Sequence, residues 1–419
     1  MIETDQKMTR SFCWLNAAQF GGALNDNVFR LLVIFFLIGL KGRDAASATN
    51  AAVGAVFVLP FLLFTPWAGG LADRYSKRGI TLVVKALETT AMALAMITFY
   101  LRSEWLAYGV VFLMSTQSAL FGPTKYGIVP ELVGRERLSR GNSLLVLYTY
   151  LAIICGTALA PTLDRWLQGD YVWAAAICLG IAVAGWGAAV QVERTPSQAG
   201  TDTEGVTGLR ALGRALWHIR HDRTICWAIL AAAYFLLLGG FVQLNLIPYG
   251  LEMLGISEQH SAYIFLLAAL GIGLGAWSVG RLSGRDIVLR WVPWGTWGAG
   301  LACLGLMVVH GSLWVVCAVV FLLGLSAGFF IVPLEACIQA RSTPHERGKI
   351  LAAKAFLAWV GVLTASGLLY LFAEIMAVSP ATSFGIMGGL TLLIGAGAYR
   401  VFPRPGKQPS TTFQDLEVQ

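Results

Sequence analysis

Long apolar stretches follow one another along this chain, separated by short polar breaks. Twelve are long enough to cross a bilayer as helices, about 20 residues being needed for a core of about 30 Å. They fall at residues 11–40, 49–72, 79–101, 105–131, 138–163, 171–191, 224–252, 259–281, 286–309, 312–340, 348–374 and 382–402. One long polar stretch, 193–222, separates six from six. It begins as a linker and ends in LRALGRALWHIR, whose spacing predicts an amphipathic helix lying on the membrane surface. The expected division is a six-helix bundle over 1–192, a linker over 193–222, a second bundle over 223–403 and a tail over 404–419. The first apolar run, starting near Phe12, is too long for a signal peptide and carries Asn25, Asp26, Asn27 and Arg30.

Composition agrees with the pattern. Of 419 residues, 57% are hydrophobic and 13% charged. Soluble domains are about a quarter charged, so a soluble globule and a disordered chain are both excluded. The 47 glycines suit close approach of membrane helices. A net charge of +7 would raise nucleic acid as a partner of a soluble protein. Here the cations sort by side of the membrane instead. The tails and even-numbered loops hold 23 of the 30 Lys and Arg, the odd-numbered loops hold four, and Arg30, Lys125 and Lys354 lie inside spans. By the positive-inside rule both termini face the cytoplasm, and no nucleic-acid partner is expected.

The seven cysteines are scattered without a CxxC, so neither a metal site nor a disulfide frame is expected. His218 and His221 have no ligand partners at metal spacing. No Gly-x-x-x-x-Gly-Lys-Ser/Thr loop is present, so ATP does not drive the protein directly. No catalytic constellation stands out, and no cofactor is implied. The expectation is a protein that is not an enzyme.

The two halves resemble each other at an offset near 210 residues. Pro123-x-Lys125 matches Pro333-x-Glu335, and Glu136-Arg137 matches Glu346-Arg347. Gly69-x-Leu71-Ala72-Asp73-Arg74 matches Gly280-x-Leu282-Ser283-Gly284-Arg285, and Gly21-Gly22-x-x-Asn25-x-Asn27 matches Gly239-Gly240-x-x-Gln243-x-Asn245. A duplicated six-span unit predicts two parallel repeats related by an axis along the membrane normal, rocking about a midplane cavity.

The loop after the second span reads GGLADRYSKRG. It resembles the signature loop of the major facilitator superfamily, Gly-x-Leu-Ala-Asp-Arg-x-Gly-Arg-Lys, with Ser76 in place of the later glycine. Its expected role is a latch: Gly69 lets helices close up, and Asp73 pairs with a basic group or a helix N-terminus on a neighbour, beside Arg74. AQFGGALNDNVFR, ALFGPTKYGIVPELV and GFFIVPLEACIQ further resemble the bacterial lysophospholipid transporter branch of that superfamily. The chain departs from the branch at Glu335 and Lys354, where the branch tends to carry a tyrosine and an asparagine. The resemblance implies an all-α fold of twelve transmembrane helices. It also implies a secondary transporter working by alternating access, moving lysophospholipid across a bacterial inner membrane.

Ionisable side chains at bilayer depth are costly, which makes each a candidate for function. Asp26 and Arg30 lie four apart on the first span, Lys125 on the fourth, Glu335 on the tenth and Lys354 on the eleventh. The resemblance places spans one, four, seven and ten around the cavity. Asn25, Gln243 and Asn245 are amides on the first and seventh spans; Gln19, Asn27 and Gln117 are weaker candidates. The expected substrate site is therefore Asp26, Arg30, Lys125, Glu335, Lys354, Asn25, Gln243 and Asn245, with Asp26, Glu335, Asp73 and Arg74 in coupling or gating. These charges can hold a zwitterionic head group, or instead neutralise one another. Lys85 and Glu88 read as a local pair near the cytoplasmic end of the third span, with Lys85 snorkelling.

Two other functions fit the same residues: a proton-coupled importer or exporter of a drug or siderophore, and a membrane scaffold for a lipid-remodelling enzyme. The expected partners are an amphipathic lipid or small-molecule substrate, membrane lipids and a lipid acyltransferase.

Overall fold

The computed structural model describes residues 2–195, 208–284, 286–309 and 311–402. The expectations for Arg285, for much of the linker and for the tail lie outside the described residues. All regular structure among the described residues is helical. Six long helices come first: α1 (Ile2–Lys41), α2 (Ala46–Arg74), α3 (Lys77–Tyr100), α4 (Glu104–Val133), α5 (Leu138–Trp166) and α6 (Tyr171–Val190). A short α7 (Leu209–Ile219) leads to six more: α8 (Arg223–Met253), α9 (Glu258–Leu282), α10 (Trp291–Val308), α11 (Leu313–Arg341), α12 (Arg347–Tyr370) and α13 (Pro380–Val401).

Eleven of these helices are long and apolar enough to cross a membrane. The remaining long helix is α10, 18 residues with three tryptophans and four glycines, packed between α11 and α13. It starts five residues later than expected, because 286–290 form turns ahead of it. α1 starts nine residues earlier than its apolar run.

Helix ends follow local chemistry. Ser103, Asp170, Asp222, Ser257 and Ser379 cap α4, α6, α8, α9 and α13, each side chain accepting from a backbone N–H of the first turn. Membrane helices tolerate proline because neighbours satisfy the freed carbonyls. So α4 runs through Pro123 and Pro130, and α11 through Pro333.

The packing of the first half repeats in the second. α1 lies on α4, α5 and α6, and α8 lies on α11, α12 and α13. α2 packs on α4 as α9 packs on α11, and α3 joins α4 and α6 as α10 joins α11 and α13. The halves meet along two further seams, α2 with α12 and α5 with α9, which the same symmetry relates. Two parallel six-helix units are thus present, as the sequence repeat predicts.

The seams close at the end where most Lys and Arg collect. Gly69 sits against α12 so tightly that a β-carbon there would lie 2.6 Å from the Ala352 methyl and 2.7 Å from the Gly348 carbonyl. Gly280 meets Ser143 across α5 and α9 with no room for a side chain. Asn142 of α5 and Gln339 of α11, both fully buried, exchange amide bonds of 2.9 and 2.8 Å. Among the described residues, α1 and α8 share no seam of this kind. The molecule is therefore closed at its basic end.

Two expectations change. Lys85, counted with the loop cations, is 1% exposed inside α3 and does not snorkel. The amphipathic helix exists as α7, but its apolar face rests on protein. Leu212 and Leu216 pack on Ala352, Ala353 and Phe356 of α12, and Gly208 meets Trp67 of α2.

Candidate functional site between the halves

Three charges lie near the floor of the space between the halves. Lys354 is seven residues into α12, Glu335 six residues from the end of α11 and Lys125 eight from the end of α4. At 1.5 Å per residue each is roughly 10 Å from the closed end. Lys354 Nζ donates to both Glu335 carboxylate oxygens, at 2.6 and 2.8 Å, and both side chains are nearly buried. Two of the expected site residues are thus bonded to each other.

The same ammonium lies 4.3 Å from the centre of the Tyr126 ring, which belongs to the opposite half. Lys125 Nζ lies 5.2 Å from that ring. Tyr126 therefore holds one cation from each half at the cavity floor. Sequence reading missed it, because a tyrosine beside a lysine on an apolar helix looks like packing. The available signal was its place in GPTKYG, inside a motif already singled out for Lys125. A cation over a ring in a dry site contributes about 2 kcal/mol. Tyr126→Leu is expected to weaken substrate uptake roughly 30-fold in KM, whereas Tyr126→Phe keeps the ring and stays near wild type. Equal losses in both variants would assign the effect to the hydroxyl.

Asp26 is higher in the cavity. Its carboxylate accepts from Ser118 Oγ at 2.6 Å and from Gln117 Nε2 at 3.4 Å, both on α4. It takes neutral donors rather than Arg30 or Lys125, although Lys125, Lys85 and Glu88 lie within electrostatic reach. Arg30, one turn on, lies over the Phe57 ring of α2 at 5.3 Å. Phe57 and Phe61 in turn meet Trp359 of α12, the Phe61 and Trp359 rings stacking with centroids 4.0 Å apart. Arg30 and Lys125 thus face rings, while the acids of the site are engaged elsewhere. Lys125 interacts electrostatically with Lys354, Asp26 and Glu335, so charges from both halves converge in one space.

The amides divide. Gln243 is exposed on α8. Asn25 is fully buried away from the cavity, donating to Glu88 Oε1 at 3.1 Å and to the Cys178 carbonyl at 3.0 Å. Asn245 is equally buried and donates to the Pro380 carbonyl at 2.9 Å. Both tie helices within their own half. Asn27 donates to Ala23 of its own helix, and Gln19 joins α1 to α5 through Leu145 and Thr149.

Lys85 and Glu88 do form the expected pair, at 2.7 Å, but in the core of the first half. Gly22 makes room for it: a β-carbon there would sit 2.5 Å from Lys85 Nζ.

The signature loop is a latch across the halves. Asp73 accepts from the backbone N–H groups of Gly348, at 2.6 Å, and Lys349, at 3.0 Å. These are orphan donors in the first turn of α12, where the helix dipole also favours an anion. Arg74, expected to share that role, is exposed and lies over the Tyr75 ring instead. Lys77 takes the inner place, buried and paired to Glu131 at 2.5 Å, tying α3 to α4.

Comparison with known proteins agrees with this geometry. A sequence profile of the Major Facilitator Superfamily matches residues 17–352. The lysophospholipid transporter of Photorhabdus laumondii is 27% identical over 338 residues, 79% of this chain and 80% of its own length. That of Citrobacter koseri is 28% identical over 333 residues, 78% and 79% of the two chains. Among solved structures, the human organic anion transporter TETRAN superposes with a TM-score of 0.74 at 18% identity, covering 93% of this chain and 99% of its own. The fucose:proton symporter of E. coli gives 0.73 at 15% identity, covering 94% and 98%. At such identities these structures speak for the fold alone. With two six-helix repeats, a latch in the signature loop and a profile match over most of its length, the chain is a multi-pass membrane transport protein and belongs to the Major Facilitator Superfamily.

Proposed function

We propose that this transporter carries lysophospholipid across the bacterial inner membrane by alternating access, loading it from the side opposite the basic end. One observation carries the reading: Arg30 and Lys125 lie against aromatic rings, and among the described residues neither is bonded directly to a carboxylate. Counting Asp26, Arg30, Lys125, Glu335 and Lys354, three cations meet two acids, leaving one net positive charge in the cavity. An anionic group such as a phosphodiester offsets that charge. Aromatic walls at Phe57, Phe61 and Trp359 suit the acyl chain of an amphiphile. The named function of the relatives at 27–28% identity supports the same cargo. By the positive-inside rule, the Lys and Arg at the closed end support a cytoplasmic position for it, and cargo would then load from the far side. Neither the fold nor the relatives point to an acyltransferase partner.

Asp26 favours a second reading. Its carboxylate is held by neutral donors only, so it is the acid of the site best placed to carry a coupling proton. Transport driven by an imposed pH gradient and lost in Asp26→Asn would support it.

The cargo reading is tested by thermal stabilisation of the purified protein. Lysophosphatidylethanolamine should raise the midpoint, and uncharged lysolipid analogues should not. Lys125→Ala removes a charge-assisted contact of about 1.5–3 kcal/mol, so apparent affinity should fall roughly 10- to 100-fold. Equal stabilisation of wild type and Lys125→Ala would refute the phosphate anchor.

A further inference from the structure

The short helix α7 has two faces, and transport through the cavity uses neither. The inner face joins the latch helices of both halves. Gly208 meets Trp67 of α2, Leu212 packs on α12, and His218 Nδ1 lies 3.0 Å from Glu346, the residue just before α12. The outer face carries Arg210, Arg214 and Trp217 at helical spacing, with Leu209 beside them. Trp217 is 64% exposed and Leu209 61%. The Arg220 guanidinium lies 3.3 Å from the centre of the Trp217 ring.

Water alone suits such a face poorly, because an indole and a leucine lie open on it. A headgroup layer suits both kinds of side chain: the indole sits at the interface, and the guanidiniums meet lipid phosphates. Each Lys or Arg near an anionic leaflet contributes about 1 kcal/mol.

We propose that α7 is a binding site for anionic phospholipid headgroups of the leaflet at the basic end, and that headgroups held there keep the inner gate closed. The coupling follows from the inner face. α7 touches α2 and α12 where Asp73 grips the first turn of α12, so separation of those helices breaks part of the α7 contact. Lipid that fixes α7 therefore favours the state in which α2 and α12 meet, and the closed gate binds lipid more tightly in return. This holds whatever the cargo is.

The test uses the full chain in bilayers of phosphatidylcholine with or without phosphatidylglycerol. Asn142→Cys with Gln339→Cys reports gate closure by the rate of disulfide formation between two positions that touch only when the gate is shut. Phosphatidylglycerol is expected to raise that rate several-fold. Adding Arg210→Gln, Arg214→Gln and Trp217→Ala should abolish the rise and leave the rate in phosphatidylcholine unchanged. Should the triple change disturb folding, Arg210→Gln with Arg214→Gln alone should at least halve the response. A response that survives these changes overturns the proposal, as does no response before they are made. An equal rise with inorganic phosphate in phosphatidylcholine would assign the face to a soluble anion, and also overturns it.

Discussion

Glu335→Ala is expected to destabilise the protein by about 3–5 kcal/mol, because it leaves the Lys354 ammonium buried without its carboxylate. Glu335 is 4% exposed and Lys354 7%, and both carboxylate oxygens accept from the ammonium, so little water is at hand to take over. Lys354→Ala should cost less, since Lys125 stays within electrostatic reach of the orphaned Glu335. The double change Glu335→Gln with Lys354→Met removes both charges at similar volume and should recover most of the stability. Thermal unfolding of the purified variants measures this. A single variant no worse than the double one would mean that the pair is wetted in solution.

Gly69→Val is expected to spring the inner gate. The new side chain has no space between α2 and α12, and the obstructing atoms include the Gly348 carbonyl, which is backbone and cannot turn aside. Moving α2 outward also takes Asp73 from the N–H groups of Gly348 and Lys349. Asp73→Asn is the gentler form of the same change. It keeps the shape and loses the charge in bonds that contribute about 1.5–3 kcal/mol, a shift of roughly 10- to 100-fold in the gate equilibrium. Both variants should form the 142–339 disulfide more slowly, Gly69→Val most of all. Unchanged rates would show that contacts other than the Asp73 latch and the Gly69 seam hold the gate.

Much of the fold is legible in the sequence, because the bilayer imposes length and apolarity on every span. Ten of the twelve expected spans agree with helices to within about four residues at each end. The exceptions have local causes. α10 begins late because its polar lead-in forms turns, and α1 begins early because helix continues past the apolar run. The repeat was legible because symmetric packing requires the same small and charged residues in both halves, as at Gly69 and Gly280.

The site was legible in part. Intramembrane charges announce themselves by cost alone, which brought out Asp26, Arg30, Lys125, Glu335 and Lys354. Which of them pair depends on the distance between helices, and periodicity within one helix does not give it. Glu335 with Lys354, and Asp26 with Ser118, therefore emerge only from the fold. Asn25 and Asn245 read as cavity ligands because an amide in an apolar run suits a substrate and a buried clamp equally well. Asn142 and Gln339 escaped notice for the same reason: neither is charged, and only their approach across the halves gives them a role.

The most direct test of the central claim is uptake of labelled lysophosphatidylethanolamine into vesicles carrying the purified protein. Movement from the outer to the inner leaflet, faster than in protein-free vesicles and lost in Lys125→Ala, is the expected result. Vesicles that transport no lysophospholipid, while the protein binds and moves another solute under the same conditions, would contradict it.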